Sequence, residues 1–344
     1  MSRGQSTGTA AKRPTLVTVA QRAGVSTALA SIVMRGAKGA SDETRQRVLE
    51  AARTVGYQPD ARARMLRQTR TRLIGVQFGL QHPFHSDLVE GVYRAAESAG
   101  YDVALSAVSQ DRKESRAIES LLANRCESLI LLGPQQSTEQ LANVAQQLPV
   151  VCVARRLRGQ IAKSIDVVRS ADDAGIREAV GHLVQLGHRR IAHLDGGDAP
   201  GAADRRRGYL TAMRRRGLEA ESVILASGLS EDDGAAAAHQ LLQRTPRPTA
   251  VIAFNDRCAA GVLDVLLRRG VDVPGEISVI GYDNSYFASM SHIGLTTVGQ
   301  DADELARLAV ERAIARLDGE EAIDEREIVC VPHLVIRGTT GPAA

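Results

Sequence analysis

The chain has no tryptophan, and aromatic residues make up only 3% of its 344 residues. Its cores must therefore be aliphatic, built from Leu, Val, Ile and Ala, and stacking of exposed bases on aromatic rings is excluded as a principal binding mode. Its four cysteines, Cys126, Cys152, Cys258 and Cys330, are widely spaced with no C-x-x-C pair. That spacing argues against a disulfide framework and reads as buried free thiols in a reducing cytoplasm. No apolar run is long enough to span a bilayer. Met1 to Arg13, rich in Gly, Ser, Thr and Ala, lacks the apolar segment of a secretion signal and reads as a disordered tail. Motifs of catalysis are also missing: there is no G-x-x-x-x-G-K-S/T, no G-x-S-x-G, no H-E-x-x-H and no G-x-G-x-x-G after a strand. Gly196-Gly197-x-x-x-Gly201 follows a strand but has the wrong spacing for a dinucleotide, and a flexible loop explains it. The 8 His are scattered. No enzymatic activity, metal or cofactor is expected.

What is present divides the chain in two. Hydrophobic residues make up 44%, a globular composition, and the length suits a small domain plus one large or two medium ones. Residues 1–72 carry 14 Lys and Arg against 4 Asp and Glu, a net +10, whereas the remainder carries 29 against 36, a net −7. A strongly basic small unit on a mildly acidic body predicts a polyanionic partner for the small unit only.

The basic unit has the pattern of a helix-turn-helix. Thr18 can cap a short helix, Gly24 can take a left-handed turn and Ser26 can cap the next helix. Val19, Ala20 and Ala23 share a face that can clamp Val25, Leu29, Ala30 and Val33. The second helix, Ser26 to Arg35, then offers Thr27, Ala28, Ser31, Ile32 and Arg35 on the opposite side, where small or polar side chains can meet base edges. A third helix from Asp42 to Val55 is signalled by Ser41 as cap, Asp42 and Glu43 in the first turn and Gly56 as terminator, with Val48, Leu49, Ala52 and Val55 closing the core. Arg45 and Arg47 are candidates for phosphate contact or for ordinary solvated charge. The run from Asp60 to Arg67 amounts to about two helical turns, too short to persist alone in water.

From Leu73 onward, short β-branched runs alternate with amphipathic helices. Strands are expected at Leu73–Gly79, Asp102–Val108, Ser128–Leu132, Val150–Ala154, Ile165–Val168, Arg190–Leu194, Val223–Ala226, Ala250–Asn255, Ser278–Tyr282 and Glu327–Ile336. That number predicts two similar α/β lobes with parallel sheets and a ligand cleft at the carboxyl ends of the strands.

These residues together resemble the lactose/galactose repressor (LacI/GalR) family of transcriptional regulators. The resemblance rests on Thr15-Leu-x-x-Val-Ala-x-x-Ala-Gly-Val-Ser26, Tyr57-x-Pro59-x-x-x-Ala63-Arg-x-Leu66-Arg67, His182-Leu-x-x-Leu-Gly-His-Arg-Arg-Ile191, Arg205-x-x-Gly-Tyr209, Asn255-Asp256, Ile277-Ser-Val-Ile-Gly-Tyr-Asp283 and Leu295-Thr-Thr-Val-x-Gln-Asp301. It covers nearly the whole chain and implies a helix-turn-helix head joined to a two-lobed effector domain like a periplasmic sugar-binding protein. The implied organisation is a tail at 1–13, a DNA-binding head at 14–58, a hinge helix or linker at 59–71, and an effector and dimerisation domain at 72–344. Within that domain, lobe 1 is expected at about 72–163 and 299–325, and lobe 2 at about 164–295 and 326–338.

The resemblance also implies roles. Thr15, Ser26, Thr27, Ala28, Ser31, Ile32, Arg35 and Tyr57 would serve DNA binding in the head. Ile32 departs from the Arg usual there and Arg35 from the common Asn, so Ile32 either meets a thymine methyl or packs against the third helix. In the hinge, Leu66 would wedge into the minor groove, with Ala63 allowing close helix approach and Arg62 supplying charge; an ordinary basic linker is the alternative. Phe84, Arg155, Arg205, Asn255, Asp256 and Asp283 would line the effector cleft, gripping sugar hydroxyls through carboxylates, an amide and a guanidinium. Where many relatives carry Asp after the fourth strand, Ala154 is followed by Arg155, which either forms a salt bridge at the cleft mouth or favours an anionic ligand. A secreted sugar-binding protein would share the body, but the basic head and the lack of a signal segment argue against it. Operator DNA, a sugar-like effector and a second copy of the chain are thus the expected partners. Leu88–Ala99 and Ala259–Leu267 are candidate dimer elements, and a dimer rather than a tetramer is expected because no leucine-rich stretch follows Ile336.

Overall fold

The computed structural model describes residues 14–34, 36–57, 70–159, 164–319 and 326–344. The expected tail, Arg35, and the hinge with Arg62, Ala63 and Leu66 lie outside the described residues. Two compact units divide at Thr71 and Arg72.

The first unit is three helices, α1 (Leu16–Ala23), α2 (Thr27–Met34) and α3 (Asp42–Val55). Thr15, rather than Thr18, is the cap of α1: its hydroxyl accepts from the Thr18 amide while the Thr18 hydroxyl accepts from the Thr15 amide, a reciprocal box that satisfies two otherwise orphaned donors. Gly24 ends α1 at φ 65°, a left-handed conformation that costs a glycine little, and the axis turns by 105° into α2. The Ser26 hydroxyl accepts from the Leu29 amide at 3.2 Å and starts α2. Eight residues form the core: Val19, Ala20, Ala23, Ala30, Val33, Val48, Ala51 and Ala52. Leu49 is not among them; it is 39% exposed, and Ala51 faces inward instead, because Val48, Ala51, Ala52 and Val55 share one helix face at i, i+3, i+4 and i+7 and Leu49 lies off it.

The second unit holds two six-stranded sheets. The first has the order β11-β5-β4-β3-β1-β2 and the second β12-β10-β9-β8-β6-β7, with these ranges: β1 Leu73–Gly79, β2 Asp102–Val108, β3 Ser128–Leu132, β4 Val150–Val153, β5 Asp166–Ser170, β6 Ile191–Asp195, β7 Val223–Ala226, β8 Ala250–Ile252, β9 Ser278–Asp283, β10 Thr296–Gly299, β11 Glu327–Cys330 and β12 His333–Val335. Every pairing is parallel except β10 with β12. The helices between them are α4 (Pro83–Ser98), α5 (Glu114–Ala123), α6 (Thr138–Ala145), α7 (Asp172–Gln185), α8 (Ala202–Arg215), α9 (Glu231–Leu242), α10 (Asp256–Arg268), α11 (Tyr286–Ser289) and α12 (Ala302–Leu317).

The lobe boundaries differ from the expected ones. β5 pairs with β4 and β11 pairs with β5, so both strands belong to the first lobe, although residues from 164 and from 326 were expected in the second. The expected single strand Glu327–Ile336 is two strands in different sheets, broken at Pro332, which has no amide to donate to a ladder. The chain therefore crosses between lobes three times, near Ala171, Gln300–Asp301 and Val331–Pro332. Close backbone approach fixes the packing of α9 on α10: a Cβ added to Gly261 would fall 1.8 Å from the Glu231 carbonyl oxygen.

His193, on β6, is fully buried and stacks on Tyr209 with ring centroids 5.3 Å apart. Burial pushes its pKa down to about 4. An unfolded imidazole titrates near ~6.5. The depressed value means that its contribution is complete above that pH and is lost as pH falls toward the folded value. The stability advantage of wild type over His193→Gln, measured by urea unfolding, is expected to shrink by about 2–3 kcal/mol between about pH 7.5 and about pH 4.5. An unchanged difference would show that the imidazole is not held neutral.

Candidate functional site

Each unit carries one candidate site. In the head, Ser26, Thr27 and Ala28 are exposed at the start of α2, while Ala30 and Val33 turn inward. An uncovered first turn of small polar and methyl-bearing side chains is what a major groove accepts. Ser31 and Ile32 are half-buried farther along α2, and Ile32 Cγ2 lies 3.8 Å from where a Cβ on Gly39 would stand, so Ile32 borders the turn before α3. Thr15 has its hydroxyl engaged as the α1 cap, and Tyr57 packs against the core. Arg45 donates to the Ala37 carbonyl at 2.9 Å, which ties the loop between α2 and α3 to the third helix.

In the second unit a cleft opens between the carboxyl ends of the two sheets, with a volume of about 70 Å³. Phe84, Arg205, Asn255, Asp256 and Asp283 all line it, as the sequence predicted. Arg155 does not: its Nη1 donates to the carbonyls of Pro134 at 2.6 Å and Gln136 at 2.5 Å, and it lines a neighbouring recess with Arg156 and Arg158. Among the described residues it lines no part of the central cleft and forms no salt bridge, one of the two roles expected of it; its Nη1 is held by the two carbonyls instead. Ala154, at φ 58°, is on the cleft wall, so no carboxylate stands there.

Arg205 is the centre of the site. It is 5% exposed, its Nε donates to Asp172 Oδ1 at 2.9 Å and its Nη1 to the Phe254 carbonyl at 2.6 Å. The guanidinium lies 3.5 Å from the Tyr282 ring centroid and 4.6 Å from that of Phe254, so two π faces and a carboxylate replace lost water. Its Nη2 is 3.9 Å from Asp283 Oδ1, too long for a hydrogen bond, and Nη2–H donors remain for a ligand. Asp283 accepts from Gln300 Nε2 at 2.8 Å. It has φ 112°, followed by Asn284 at φ 55°, two left-handed residues where the last strand turn meets the cleft. Burial raises the pKa of Asp283, with Arg205 pulling it back down.

Asp256 and Asn255 have their groups turned to the protein. Asp256 accepts from the Ser285 amide at 2.7 Å, the Ser285 hydroxyl at 2.8 Å and the Thr297 hydroxyl at 2.6 Å, a set of donors that ties α10 to β10 and the loop after β9. Asn255 Oδ1 caps α10 through the Cys258 amide at 2.8 Å, and its Nδ2 donates to the Leu229 carbonyl at 3.2 Å. Both residues therefore hold the second-lobe wall in shape while bordering the cleft.

Sequence reasoning missed His82, His85, Asp172, Phe254, Tyr282, Ser285 and Gln300. Gln300 sat inside the Leu295 to Asp301 motif, and His82 and His85 bracket the Phe84 already singled out, so nearness to a known position was the available signal. Asp172 had none, since its partner is 33 residues away. The Gly79 amide donates to His85 Nδ1 at 2.9 Å, and burial pushes the His85 pKa down to about 3, so its single proton sits on Nε2. Gly196 lets Phe254 lie flat on the loop after β6: a Cβ there would fall 2.5 Å from the ring. The site thus explains a glycine that the sequence offered only as loop. Across the cleft, Arg257 of the second lobe donates to the Gln81 carbonyl of the first. Among the described residues, no group of three or more His, Cys, Asp or Glu stands together for a metal, and no single helix is long and apolar enough to cross a membrane.

A helix-turn-helix and a two-lobed α/β domain with a polar cleft on one chain define a ligand-responsive DNA-binding protein by class. Residues 15–60 match the family of bacterial regulatory proteins, lacI family, and residues 180–340 match the periplasmic binding protein-like domain. The chain is 34% identical over 328 residues to the HTH-type transcriptional regulator GalR of Escherichia coli K12, covering 94% of each. It is similar to the crystal structure of a LacI transcriptional regulator from a Rhodococcus species at 50% identity and a TM-score of 0.76, over 79% of this chain and 99% of that one. It is similar to the lac repressor dimer bound to operator and the anti-inducer ONPF at 29% identity and a TM-score of 0.82, over 96% and 100%. The chain belongs to the LacI family of transcriptional regulators.

Proposed function

We propose that the chain binds a pseudopalindromic operator as a homodimer and represses transcription, and that a small sugar-like effector closing the interlobe cleft changes its affinity for DNA. The dimer follows from physics: one module of three helices reads too few bases for useful discrimination, whereas two related by a twofold axis read a palindrome. Tyr93 on α4 and Leu267 on α10 are exposed large side chains on the two helices expected at the interface, 44% and 78% exposed. The protein acts on this reading in the cytoplasm, at the nucleoid. The observation that carries the proposal is the pairing on one chain of an uncovered Ser26, Thr27 and Ala28 with a cleft whose buried Arg205 keeps donors free beside Asp283.

Selection from random duplexes tests the DNA half. The expected product is a twofold-symmetric site bound with a preference that falls steeply with salt. Ile32→Arg is expected to move one base pair of each half-site to G·C with about 1–3 kcal/mol of new discrimination, since arginine pairs bidentately with guanine. A selected sequence unchanged by that variant would place Ile32 in the packing of the turn and away from the bases. Release or tightening of that duplex by sugars, followed by anisotropy, tests the other half; indifference to every sugar would remove the effector from the proposal.

A further inference from the structure

The two lobes of the second unit stand close together. The cleft between them holds about 70 Å³, well below the roughly 300–1,000 Å³ of ordinary small-molecule sites, so a ligand of ordinary size enters only when the lobes part. Two polar side-chain contacts cross the cleft, and they differ in kind. On one side Arg158, after β4, lies 3.6 Å from Asp204 in the first turn of α8, too long for a hydrogen bond. The Arg158 side chain is 70% exposed, and Asp204 already accepts from Arg207 at 2.6 Å. An ion pair this open to water contributes little.

On the other side Arg257, in the first turn of α10, is held in a fixed pose. Its Nε donates to Glu231 Oε1 at 2.9 Å and its Nη2 to Glu231 Oε2, a forked pair with the first residue of α9. That leaves Nη1, which donates to the main-chain carbonyl of Gln81, in the turn between β1 and α4 of the other lobe. The guanidinium holds the Glu231 carboxyl below its usual range, chiefly through these side-chain hydrogen bonds, so the pair stays ionised at neutral pH. The acceptor is also fixed, since the His82 amide donates to the Gly79 carbonyl at 3.3 Å and the His85 amide to the His82 carbonyl at 2.9 Å. With donor and acceptor both aligned in advance, the contact between the lobes costs little side-chain freedom.

Position gives this contact leverage. The chain passes between lobes at the ends of β5, β10 and β11, towards one edge of each sheet, whereas Gln81 follows β1, three strands from β5, and Arg257 follows β8, two strands from β10. At about 4.8 Å per strand the contact stands about 10–14 Å from the crossovers, and any rotation about them parts donor and carbonyl in proportion to that distance. We infer that Glu231, Arg257 and Gln81 form a latch that keeps the cleft shut in the ligand-free chain and must release before an effector enters. The Arg158 side is closed only because the latch side is.

Pulsed electron paramagnetic resonance on the full chain with no ligand added tests this, with nitroxides at Glu119→Cys on α5 and His239→Cys on α9. Both positions are exposed, the two helices follow the far edge strands β2 and β7, and Cys330 is replaced by Ala because the other three cysteines are buried. Labelled chain is diluted in unlabelled chain so that each distance comes from one molecule. The expected result is one short distance with the latch intact, and a second, longer one in Arg257→Ala, with the open-to-closed ratio raised about tenfold, equivalent to about 1.4 kcal/mol. Glu231→Gln changes a half-exposed side chain that lines no part of the cleft, and is expected to raise the ratio about threefold by loosening the fork. Arg158→Ala is expected to leave the distances unchanged. Unchanged distances in Arg257→Ala or, should that variant not fold, in Glu231→Gln overturn the latch, as does equal opening in Arg158→Ala or a chain that is already open with the latch intact. Because no ligand is present, none of these outcomes depends on whether the effector is a sugar.

Discussion

Arg205→Ala is expected to weaken effector binding by about 100-fold or more and to leave a protein that still binds its operator but no longer responds to sugar. The size follows from what the side chain does. Its guanidinium is buried between Tyr282 and Phe254, bonded to Asp172 and to a main-chain carbonyl, and points its spare donors at Asp283 and the cleft. Truncation removes the ligand's fixed donors, and losing one partner of a buried charged contact costs about 2–5 kcal/mol in binding. It also leaves Asp172 and Asp283 without their counter-charge, so a loss of folding stability of about 3–5 kcal/mol is expected alongside. Arg205→Lys restores the charge but not the fork, and is expected to recover stability more than affinity. Calorimetry for the ligand, denaturant unfolding for stability and anisotropy on operator DNA separate the three effects. Full effector response in the Ala variant would remove Arg205 from the binding site.

Val48→Asp in the head is expected to have the larger effect on DNA, lowering operator affinity by roughly 1,000-fold or more to a non-specific residue of binding. Val48 is fully buried in a core of eight residues, five of them alanines with little area to spare. A unit this small is marginally stable, and a carboxylate placed in its middle has no cation to pair with among the core residues, a desolvation cost of several kcal/mol. The body has apolar clusters of its own, so its thermal transition and its sugar binding are expected to stay where they were. A shift of both transitions together would mean that the two units do not fold separately. Retained specific binding would mean that residues outside α1 to α3 read the operator.

The head was legible almost residue by residue. Caps, a left-handed glycine and a shared apolar face act over three or four positions, so Gly24, Ser26, Ser41 and Gly56 could be placed by their neighbours. Its two misplacements are the α1 cap, which falls on Thr15 and not Thr18, and Leu49, which lies off the face that Val48, Ala51, Ala52 and Val55 share at i, i+3, i+4 and i+7. In the body, Arg205, Asp283 and Phe84 were legible because residues where strands give way to loops and helices face a cleft in this architecture. Arg155 was misread by the same rule: it follows a strand, but the carbonyls that hold it belong to another connection. Asp256 lines the cleft as expected, yet its oxygens are occupied by Ser285 and Thr297, which the sequence places 29 and 41 residues away.

The sequence by itself determined the division into a basic reader and an acidic two-lobed body, the alternation of strands and helices, and most of the cleft's polar residues, since each depends on pattern over a few neighbouring positions. Tertiary structure alone decided that Asp166–Ser170 and Glu327–Cys330 complete the first sheet, that Arg205 is sandwiched between two rings, and that Arg257 reaches the Gln81 carbonyl across the cleft. Strand order, charge burial and contact between the lobes are settled by which distant segments meet, and no local periodicity carries that information.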